Sequence, residues 1–308
     1  MKVGIIGAGA VAKACLLATV LRGAASEIVV VNRTRKTAEG MAIDVGYGGI
    51  LSPAVRLRAG DYADLAGADL VMLTSGINEK AGGATDRSDP EGRLKLLAKN
   101  AGIFREIVPR IAAGAPDTTL LVVTDPPDAL ADIARGAAPS LRIVSAGTFL
   151  DSLRFRLHVA RKLDVHPASV DALVLGEHGT SSVFLWSAVR VGATPVLDAL
   201  DGGAKARDTI EKEVREANIQ IIEGIGASQF GIGMVCARVA EIMARDECAV
   251  VPLGCYHEEF GVTLSLPVVL GRRGVLRSLR PPMTKDEAAA LHRSAEHIRD
   301  ALDKTGRT

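Results

Sequence analysis

The sequence has 308 residues, which is long for one hydrophobic core and long enough for two lobes. Apolar residues make up 48% and charged residues 24%, a balance that is typical of packed globular enzymes and excludes a disordered or fibrous protein. The formal net charge is +1 and there is no long run of Lys or Arg, so the charge pattern gives little support to a nucleic-acid or membrane-surface role.

No apolar stretch reaches the roughly 18 residues that a transmembrane helix needs. The apolar start runs into Gly-Ala-Gly instead of a signal cleavage site, so a secretory signal is not expected. The four cysteines show no CxxC spacing. We therefore expect reduced thiols in a cytoplasmic protein, with neither disulfides nor a metal site.

Short apolar runs alternate with helical patterns in the first half of the chain. The runs predicted as buried strands are Val3–Ile6, Ile28–Val31, Leu70–Thr74, Leu120–Val123 and Ile143–Ser145. Helical periodicity lies between them, as in Val11–Leu21 and Leu94–Ala113. This alternation predicts an α/β fold with a doubly wound parallel sheet.

The pattern changes after Gly147 and predicts a second lobe of mixed α+β type. Its predicted helices are Leu150–Leu163, Arg207–Glu223, Gly231–Arg245 and one after Pro281-Pro282. Its predicted strands are Ala172–Leu175, Ser182–Val191 and a hairpin of Ala249–Leu253 with Val262–Val269. We place the boundary between residues 146 and 147, with a nucleotide-binding domain before it and a catalytic domain after it.

A glycine-rich turn follows the first predicted strand and leads into the first helix. It is Gly7-Ala8-Gly9-Ala10-Val11-Ala12. Gly7 would allow the tight turn, and Gly9 would let the main chain approach a pyrophosphate at the helix N-terminus. In this strand–turn–helix setting the motif predicts a Rossmann-type dinucleotide site that includes Ala10 and Val11.

The second predicted strand is followed by a basic segment. Asn32 stands where an NAD-specific site carries the acidic residue that binds the ribose 2′-hydroxyl. The segment continues as Arg33-Thr34-Arg35-Lys36. An amide, a hydroxyl and one or two guanidinium groups would bind a 2′-phosphate, which a carboxylate would repel. Asn32, Arg33, Thr34 and Arg35 therefore predict NADP as the cofactor, with NAD as the alternative if the segment is only a solvated turn.

Two motifs in the second half are more specific. They are Gly176-Glu177-His178-Gly179 and Leu150-Asp151-Ser152-x-Arg154. Together with the glycine-rich start, Phe230-Gly231-Ile232-Gly233 and the segment Leu264–Gly271, they resemble the lactate/malate dehydrogenase family over essentially the whole chain. The resemblance implies a dehydrogenase that transfers a hydride between a nicotinamide cofactor and a small 2-oxo or 2-hydroxy acid, and a homodimer or homotetramer.

The chemistry of hydride transfer gives these residues their roles. Hydride addition to a ketone builds negative charge on its oxygen, so a proton donor must lie within reach. His178 titrates in the appropriate range, and the resemblance pairs it with Asp151. Arg154 lies three residues after Asp151 on the same helical face and matches the family arginine that binds the substrate carboxylate as a fork.

The resemblance also implies a second catalytic arginine on a loop after the fourth strand. Arg93 is favoured because Arg93-Leu94-x-Leu96-Leu97-x-x-Asn100 matches the family helix in register, and Arg87 is the alternative. If Arg93 is this arginine, the Gly- and Asp-rich loop Ala81–Gly92 is longer than in ordinary lactate dehydrogenases. A long loop here resembles the hydroxyisocaproate dehydrogenase branch, which takes substrates with bulkier side chains.

The chain departs from the family pattern at positions near the substrate. Glu79 stands where lactate-type enzymes have Gln and malate-type enzymes have Arg, so oxaloacetate is disfavoured. Asp125 replaces an Asn that, like Ser75 and Gly76, lies by the cofactor in the family. Thr180 replaces the Asp or Asn that commonly follows Gly-Glu-His-Gly.

Two extra carboxylates suggest a polar, even cationic, substrate side chain. The alternative is that Glu79 points to solvent or pairs with Lys80 or Lys99. Ser228, which we expect in a pocket-facing helix, matches a family hydroxyl near the substrate. Two other functions remain open, namely an imino-acid reductase that uses Asp125 and a catalytically silent NADP-binding sensor.

Overall fold

The computed structural model describes residues 1–82, 92–196 and 200–306, without the side chains of residues 92 and 93. Among these residues, no single helix is long and apolar enough to cross a membrane. Two successive helices meet that criterion only when they are taken together, and the chain bends by 117° between them. They are Gly203–Ile225 and Phe230–Arg245.

A parallel sheet forms the first half of the chain. Its strands are β1 (Lys2–Ile6), β2 (Glu27–Val31), β3 (Arg56–Gly60), β4 (Leu70–Leu73), β5 (Thr119–Val122) and β6 (Arg142–Ser145), in the spatial order β3-β2-β1-β4-β5-β6. The five predicted strands are all present, and β4 and β5 are buried along their whole length because helices cover both faces of the sheet. The strand β3 was not predicted, since its Arg-Leu-Arg-Ala-Gly sequence lies at the sheet edge and is only partly buried.

The helices of this half are α1 (Ala10–Leu21), α2 (Arg35–Gly49), α3 (Glu79–Gly82), α4 (Gly92–Gly114) and α5 (Pro127–Ala137). The predicted helices Val11–Leu21 and Leu94–Ala113 correspond to α1 and α4. The short helix α3 includes Ala81 and Gly82, the first two residues of the predicted loop Ala81–Gly92, and residues 83–91 of that loop lie outside the described residues.

The second half is a mixed α/β unit. Its helices are α6 (Phe149–Leu163), α7 (Gly203–Ile225), α8 (Phe230–Arg245) and α9 (Lys285–Thr305). Its strands are β7 (Val170–Asp171), β8 (Val174–Leu175), β9 (Val183–Phe184), β10 (Arg190–Val191), β11 (Thr194–Pro195), β12 (Ala249–His257), β13 (Val262–Gly271) and β14 (Gly274–Ser278).

The prediction of one strand over Ser182–Val191 was wrong. A 3₁₀ turn at Trp186–Ala188 divides it into β9 and β10. The turn lets Trp186 pack edge-on against Phe155 at 4.6 Å between ring centroids, while its indole N–H donates to Glu211 at 2.8 Å. Burial of this aromatic group therefore overrides the β-propensity of the segment.

Three antiparallel strands of the second half extend the parallel sheet of the first. β12 pairs with β6 at Gly254 and Ser145, and β13 and β14 follow, which gives nine strands in one sheet. A side chain at Gly254 would come within 2.6 Å of the Asp128 carboxylate, so this close approach requires glycine. The two halves thus share a sheet, and the division between residues 146 and 147 stays a prediction.

Candidate active site

A cleft lies at the carboxyl ends of the parallel strands, beside β1, where the strand order reverses direction. This is the position at which open α/β sheets bind ligands. Its described wall includes Gly9 and Val11 at the start of α1, Thr74 and Thr124 after β4 and β5, and His178 from the second half. The topology therefore brings the predicted nucleotide motif and the predicted catalytic histidine to one cleft.

The glycine-rich turn has the geometry of an anion-binding loop. Gly7 has a φ of +118°, and a side chain there would come within 2.7 Å of the Thr74 hydroxyl. A side chain at Gly9 would meet no heavy atom within 4 Å, so this face of the loop is open. The helix α1 begins at Ala10 without a side-chain cap, which leaves its first N–H groups to a ligand. These features fit the pyrophosphate of a dinucleotide.

The basic segment after β2 lies at the surface. The Asn32 amide donates to the Thr34 carbonyl at 3.0 Å and so closes the turn before α2. Arg35 pairs with Glu39 at 3.0 Å and with Asp61 at 2.9 Å, and these carboxylates raise the pKa of its guanidinium. Arg33 is exposed. Of the two guanidinium groups that were predicted to bind a 2′-phosphate, that of Arg35 therefore already has anionic partners.

His178, Asp151 and Arg154 form a connected group. Nδ1 of His178 lies 2.5 Å from Oδ2 of Asp151, and the other oxygen of Asp151 accepts a hydrogen bond from Arg154 at 3.0 Å. The side chain of Asp151 is only 9% exposed. Burial raises the pKa of its carboxyl, but His178 and Arg154 outweigh burial and hold that pKa below its usual value. The predicted spacing on α6 thus produces a buried, ionised Asp that contacts both partners.

The main chain of the His178 loop is anchored at three successive N–H groups. Gly176 donates to the carbonyl of Ser265 on β13 at 2.9 Å. Glu177 donates to the Ser294 hydroxyl on α9 at 2.9 Å, and His178 donates to Oδ2 of Asp128 on α5 at 2.7 Å. Three separate elements therefore fix the loop that carries the imidazole.

Asp128 was not predicted as a functional residue. It lies near the start of α5, is 1% exposed, and accepts a hydrogen bond from the Ser145 hydroxyl at 2.5 Å in addition to the His178 N–H. Burial raises the pKa of this carboxyl to about 7, although the Ser145 and His178 hydrogen bonds oppose the shift. Its contacts are made across 17 and 50 residues of sequence, and only the repeated Asp in Thr-Asp-Pro-Pro-Asp gave a local signal.

The other imidazole nitrogen faces the cleft near Asp125. Nε2 of His178 lies 3.9 Å from Oδ1 of Asp125. The main chain at Asp125 is held by Asn100, whose amide donates to the Asp125 carbonyl at 2.9 Å and whose oxygen accepts from the Ile77 N–H at 2.7 Å. Asn100 is fully buried on α4 and joins two segments of the cleft wall. A lone buried amide on an apolar helix face was the signal that could have identified it.

Glu79 lies in the wall of the cleft. Its carboxylate accepts a hydrogen bond at 3.1 Å from the Asn218 amide of α7, and both residues line the part of the cleft that contains Arg154 and His178. From the sequence we expected Glu79 to face the substrate, the solvent or a lysine, and we did not name Asn218 as a partner. The contact spans 139 residues, so no local pattern could have shown it.

The remaining predicted residues also lie around the cleft. Ser228 lines it, but the expectation of a helical position was wrong, since Ser228 lies in the turn between α7 and α8. Gly76 lines the same wall, and the Ser75 carbonyl accepts a hydrogen bond from Thr124 at 2.9 Å. Thr180 is exposed at the rim beside His178.

The structure does not decide between the two candidates for the loop arginine. Arg87 lies outside the described residues. Arg93 is the second residue of α4, but its side chain also lies outside the description. The choice of Arg93 over Arg87 stays a prediction.

Comparison with protein families gives two matches that together cover most of the chain. Residues 1–143 match the model described as lactate/malate dehydrogenase, NAD binding domain. Residues 148–307 match the model described as lactate/malate dehydrogenase, alpha/beta C-terminal domain.

Individual proteins show the same similarity. The L-lactate dehydrogenase of Deinococcus radiodurans is 41% identical over 311 residues, which cover 99% of this chain and 100% of the relative. The L-lactate dehydrogenase of Thermus aquaticus is 38% identical and covers 99% of this chain and 100% of the relative. The crystal structure of MGS-M5, a lactate dehydrogenase from a Medee basin deep-sea metagenome library, superposes with a TM-score of 0.90 at 31% identity, over 99% of this chain and 98% of that one.

Proposed function

Because the chain belongs to the lactate/malate dehydrogenase family, we propose that it reduces a 2-oxo acid with a polar side chain, with NADPH as the preferred reductant and His178 as the proton donor. Family membership itself supports the coarser statement that the chain is an oxidoreductase of 2-hydroxy acids that uses a nicotinamide cofactor. The preferred cofactor, the substrate side chain and the residue roles are our proposals.

The observation that carries the proposal is the contact of His178 with Asp151 at 2.5 Å, combined with the contact of Asp151 with Arg154 at 3.0 Å. Asp151 fixes the imidazole through Nδ1 and stabilises its protonated form, so Nε2 can donate a proton to the developing alkoxide of the substrate. Arg154 binds the substrate carboxylate through its guanidinium fork, which turns the carbonyl oxygen toward Nε2.

A reduced nicotinamide cofactor, when bound, would supply the hydride that adds to the carbonyl carbon, while His178 supplies the proton. The open face at Gly9 and the uncapped N-terminus of α1 fit its pyrophosphate. The exposed Arg33 supports a 2′-phosphate. The pairing of Arg35 with Glu39 and Asp61 and the donation of the Asn32 amide to the Thr34 carbonyl weaken the contributions of those two residues. NADH remains the alternative, and initial rates with NADPH and NADH in parallel decide between them.

The substrate side chain would lie toward Glu79 and Asn218. A carboxylate there, together with Asp125, favours a side chain that donates hydrogen bonds or carries positive charge. The cation Arg215 also lines this region, but it donates to Glu211 at 2.7 Å and to the Ser182 carbonyl at 2.9 Å. Glu211 therefore offsets the charge of Arg215, and the carboxylates of Glu79 and Asp125 are the groups that favour such a side chain.

A substrate panel tests this part of the proposal. The panel consists of pyruvate, oxaloacetate, 2-oxoisocaproate and 2-oxo-5-guanidinovalerate, and the measured quantity is kcat/KM for each with both nucleotides. We expect the guanidino acid to be preferred over 2-oxoisocaproate and oxaloacetate to be the poorest substrate. A preference for oxaloacetate contradicts the charge argument, and a preference for pyruvate removes the polar side chain from the proposal.

One observation favours a second candidate reaction. Asp125 lies 3.9 Å from Nε2 of His178, where a carboxylate would stabilise an iminium better than a neutral ketone. An imino-acid reductase would reduce a cyclic imino acid, or a 2-oxo acid in the presence of ammonia. The third candidate, a silent NADP-binding sensor, is disfavoured because His178, Asp151 and Arg154 retain contacts that a sensor does not require.

An exposed apolar surface supports assembly with a second copy. It consists of Ile43, Tyr47, Ile50 and Leu51 on α2 and the turn after it, with Leu51 94% exposed. We propose a homodimer or homotetramer in which this surface is covered. Light scattering of Ile50→Glu should show dissociation, and Leu276→Glu, an exposed apolar position on β14, is the control that should leave assembly unchanged. The cysteine pattern supports a cytoplasmic location.

A further inference from the structure

Asp128 makes a contact that packing alone does not require. Its Oδ2 accepts the main-chain N–H of His178 at 2.7 Å, and its Oδ1 accepts the Ser145 hydroxyl at 2.5 Å. The residue is 1% exposed. A buried carboxyl group of this kind costs free energy unless its hydrogen bonds offset the loss of water.

Asp132 provides an internal comparison on the same helix. It lies one turn after Asp128 on α5, and its two oxygens accept the N–H and the hydroxyl of Thr263, both at 2.8 Å. Burial raises the pKa of Asp132 as well. Both carboxyls therefore accept one main-chain N–H and one hydroxyl, but Asp132 fastens α5 to β13, whereas Asp128 fastens it to the residue whose imidazole faces the cleft.

Three elements of the structure lie against the carboxyl group of Asp128. The loop after β8 contributes His178 and Glu177, the strand β6 contributes Ser145, and β12 contributes Gly254, which has no side chain. A positive charge on His178 favours ionised Asp128, and Glu177 opposes it. Because interaction between two titrating groups is mutual, ionised Asp128 favours the protonated imidazole to the same extent.

We propose that Asp128 is a positioning residue, which fixes the main chain of His178 and, in its ionised form, favours the protonated imidazole. The inference rests on the proposed role of His178 as proton donor. A displacement of the imidazole by a fraction of an ångström would lengthen the proton transfer to the substrate, so loss of the anchor should act on kcat more than on KM.

Three variants separate this role from simple support of the fold. Asp128→Ala removes the anchor and the charge. Asp128→Asn keeps an oxygen that can accept the His178 N–H but removes the charge. Asp132→Ala removes the matched carboxyl from the same helix. For each variant, kcat and KM for the best 2-oxo acid, the pH profile of kcat and the melting temperature are measured.

We expect Asp128→Ala to lower kcat about 10- to 100-fold with a smaller change in KM. At low pH, kcat of Asp128→Asn should be close to that of the wild type. The pH at which kcat falls to half should be lower by about half a unit in this variant, because the charge that favours the imidazolium is gone. Asp132→Ala should lower the melting temperature and leave kcat and its pH profile as in the wild type. Equal loss of kcat in Asp128→Ala and Asp132→Ala would overturn the proposal.

A second readout does not depend on turnover. The imidazole signals of His178 are assigned in nitrogen-15 spectra by their absence in His178→Gln, and their titration is followed in the wild type, Asp128→Asn and Asp132→Ala. We expect a lower midpoint in Asp128→Asn alone, and an unchanged midpoint overturns the electrostatic part. If the wild type reduces no 2-oxo or imino acid, the proposed function fails, and the titration still decides whether Asp128 acts on His178.

Discussion

The two ends of the cleft differ in how far their charged groups are already arranged. At the proposed catalytic end, Asp151 is 9% exposed and contacts both His178 and Arg154. At the proposed cofactor end, Arg35 is 53% exposed, and its partners Glu39 and Asp61 are also exposed. A buried charge must be paired to be tolerated, whereas exposed ion pairs contribute little and are screened by salt.

The difference indicates where substitutions should have large effects. At the catalytic end a removed side chain leaves a buried partner without its counter-charge, and the solvent cannot compensate. At the cofactor end, water and neighbouring side chains replace much of what is lost. We therefore expect a decline in effect from His178 outward to Arg33, and the following substitutions test that gradient.

His178→Asn should have the largest effect. An asparagine cannot act as an acid at neutral pH, so kcat should fall about 10²- to 10⁴-fold. Nicotinamide absorbance at saturating 2-oxo acid measures the rate, and nucleotide fluorescence measures cofactor binding, which we expect to be unchanged. A loss of both activity and nucleotide binding would instead indicate a damaged fold.

Asp151→Asn should follow, with kcat lowered about 10²- to 10³-fold because the imidazole loses the group that fixes Nδ1 and stabilises its protonated form. The substitution should also destabilise the fold by about 2–4 kcal/mol, since Arg154 and His178 lose a buried counter-charge. Urea unfolding of both proteins across the pH range measures this difference.

The pH dependence of that difference has a definite sign. The folded-state pKa of Asp151 lies below its usual value of 3.8. Its ionised form therefore stabilises the wild type fully above the unfolded-state pKa, and this contribution disappears as the pH falls through the lower folded-state value. The wild type and Asp151→Asn should converge in stability only in strong acid. Convergence near pH 6 would contradict the assignment of Asp151 as an ionised group.

Arg154→Gln should be somewhat less severe. The loss of a charge-assisted fork should lower kcat/KM for the 2-oxo acid about 10- to 100-fold. Arg156→Gln is the matched control, because Arg156 lies on the same helix but donates to the Ala172 carbonyl at 3.2 Å. Similar losses in the two variants would mean that α6 has been disturbed and would remove Arg154 from the substrate site.

The same contrast explains how much of the molecule the sequence could predict. The five buried strands and the helices α1, α4, α6, α7 and α8 were predicted because their periodicity is local. His178, Asp151 and Arg154 became candidates because motifs carry them, and Asp151 and Arg154 are separated by only one helical turn. The nucleotide turn was also recognisable, since Gly7 and Gly9 meet local backbone requirements.

What the sequence could not predict depends on distant contacts. The edge strand β3 is partly polar, so its pairing with β2 had no local signature. Asp128 and Asn218 become functional candidates only because folding brings them to His178 and Glu79, across 50 and 139 residues. Tertiary packing also ended the predicted strand at Trp186.

Substitutions at the cofactor end should produce the smallest effects, and they should change the rate with only one of the two cofactors. Arg33→Ala should lower kcat/KM for NADPH about 10-fold and leave the value for NADH nearly unchanged, because only the 2′-phosphate distinguishes the two cofactors. Arg35→Ala should act less, since Glu39 and Asp61 already neutralise that guanidinium. Rates at two salt concentrations add a check, because screening should weaken the Arg33 contribution at an exposed site. If Arg33→Ala lowers the rates with NADPH and NADH equally, the basic segment does not read the 2′-phosphate, and the cofactor end returns to the alternative of a solvated turn beside an NAD site.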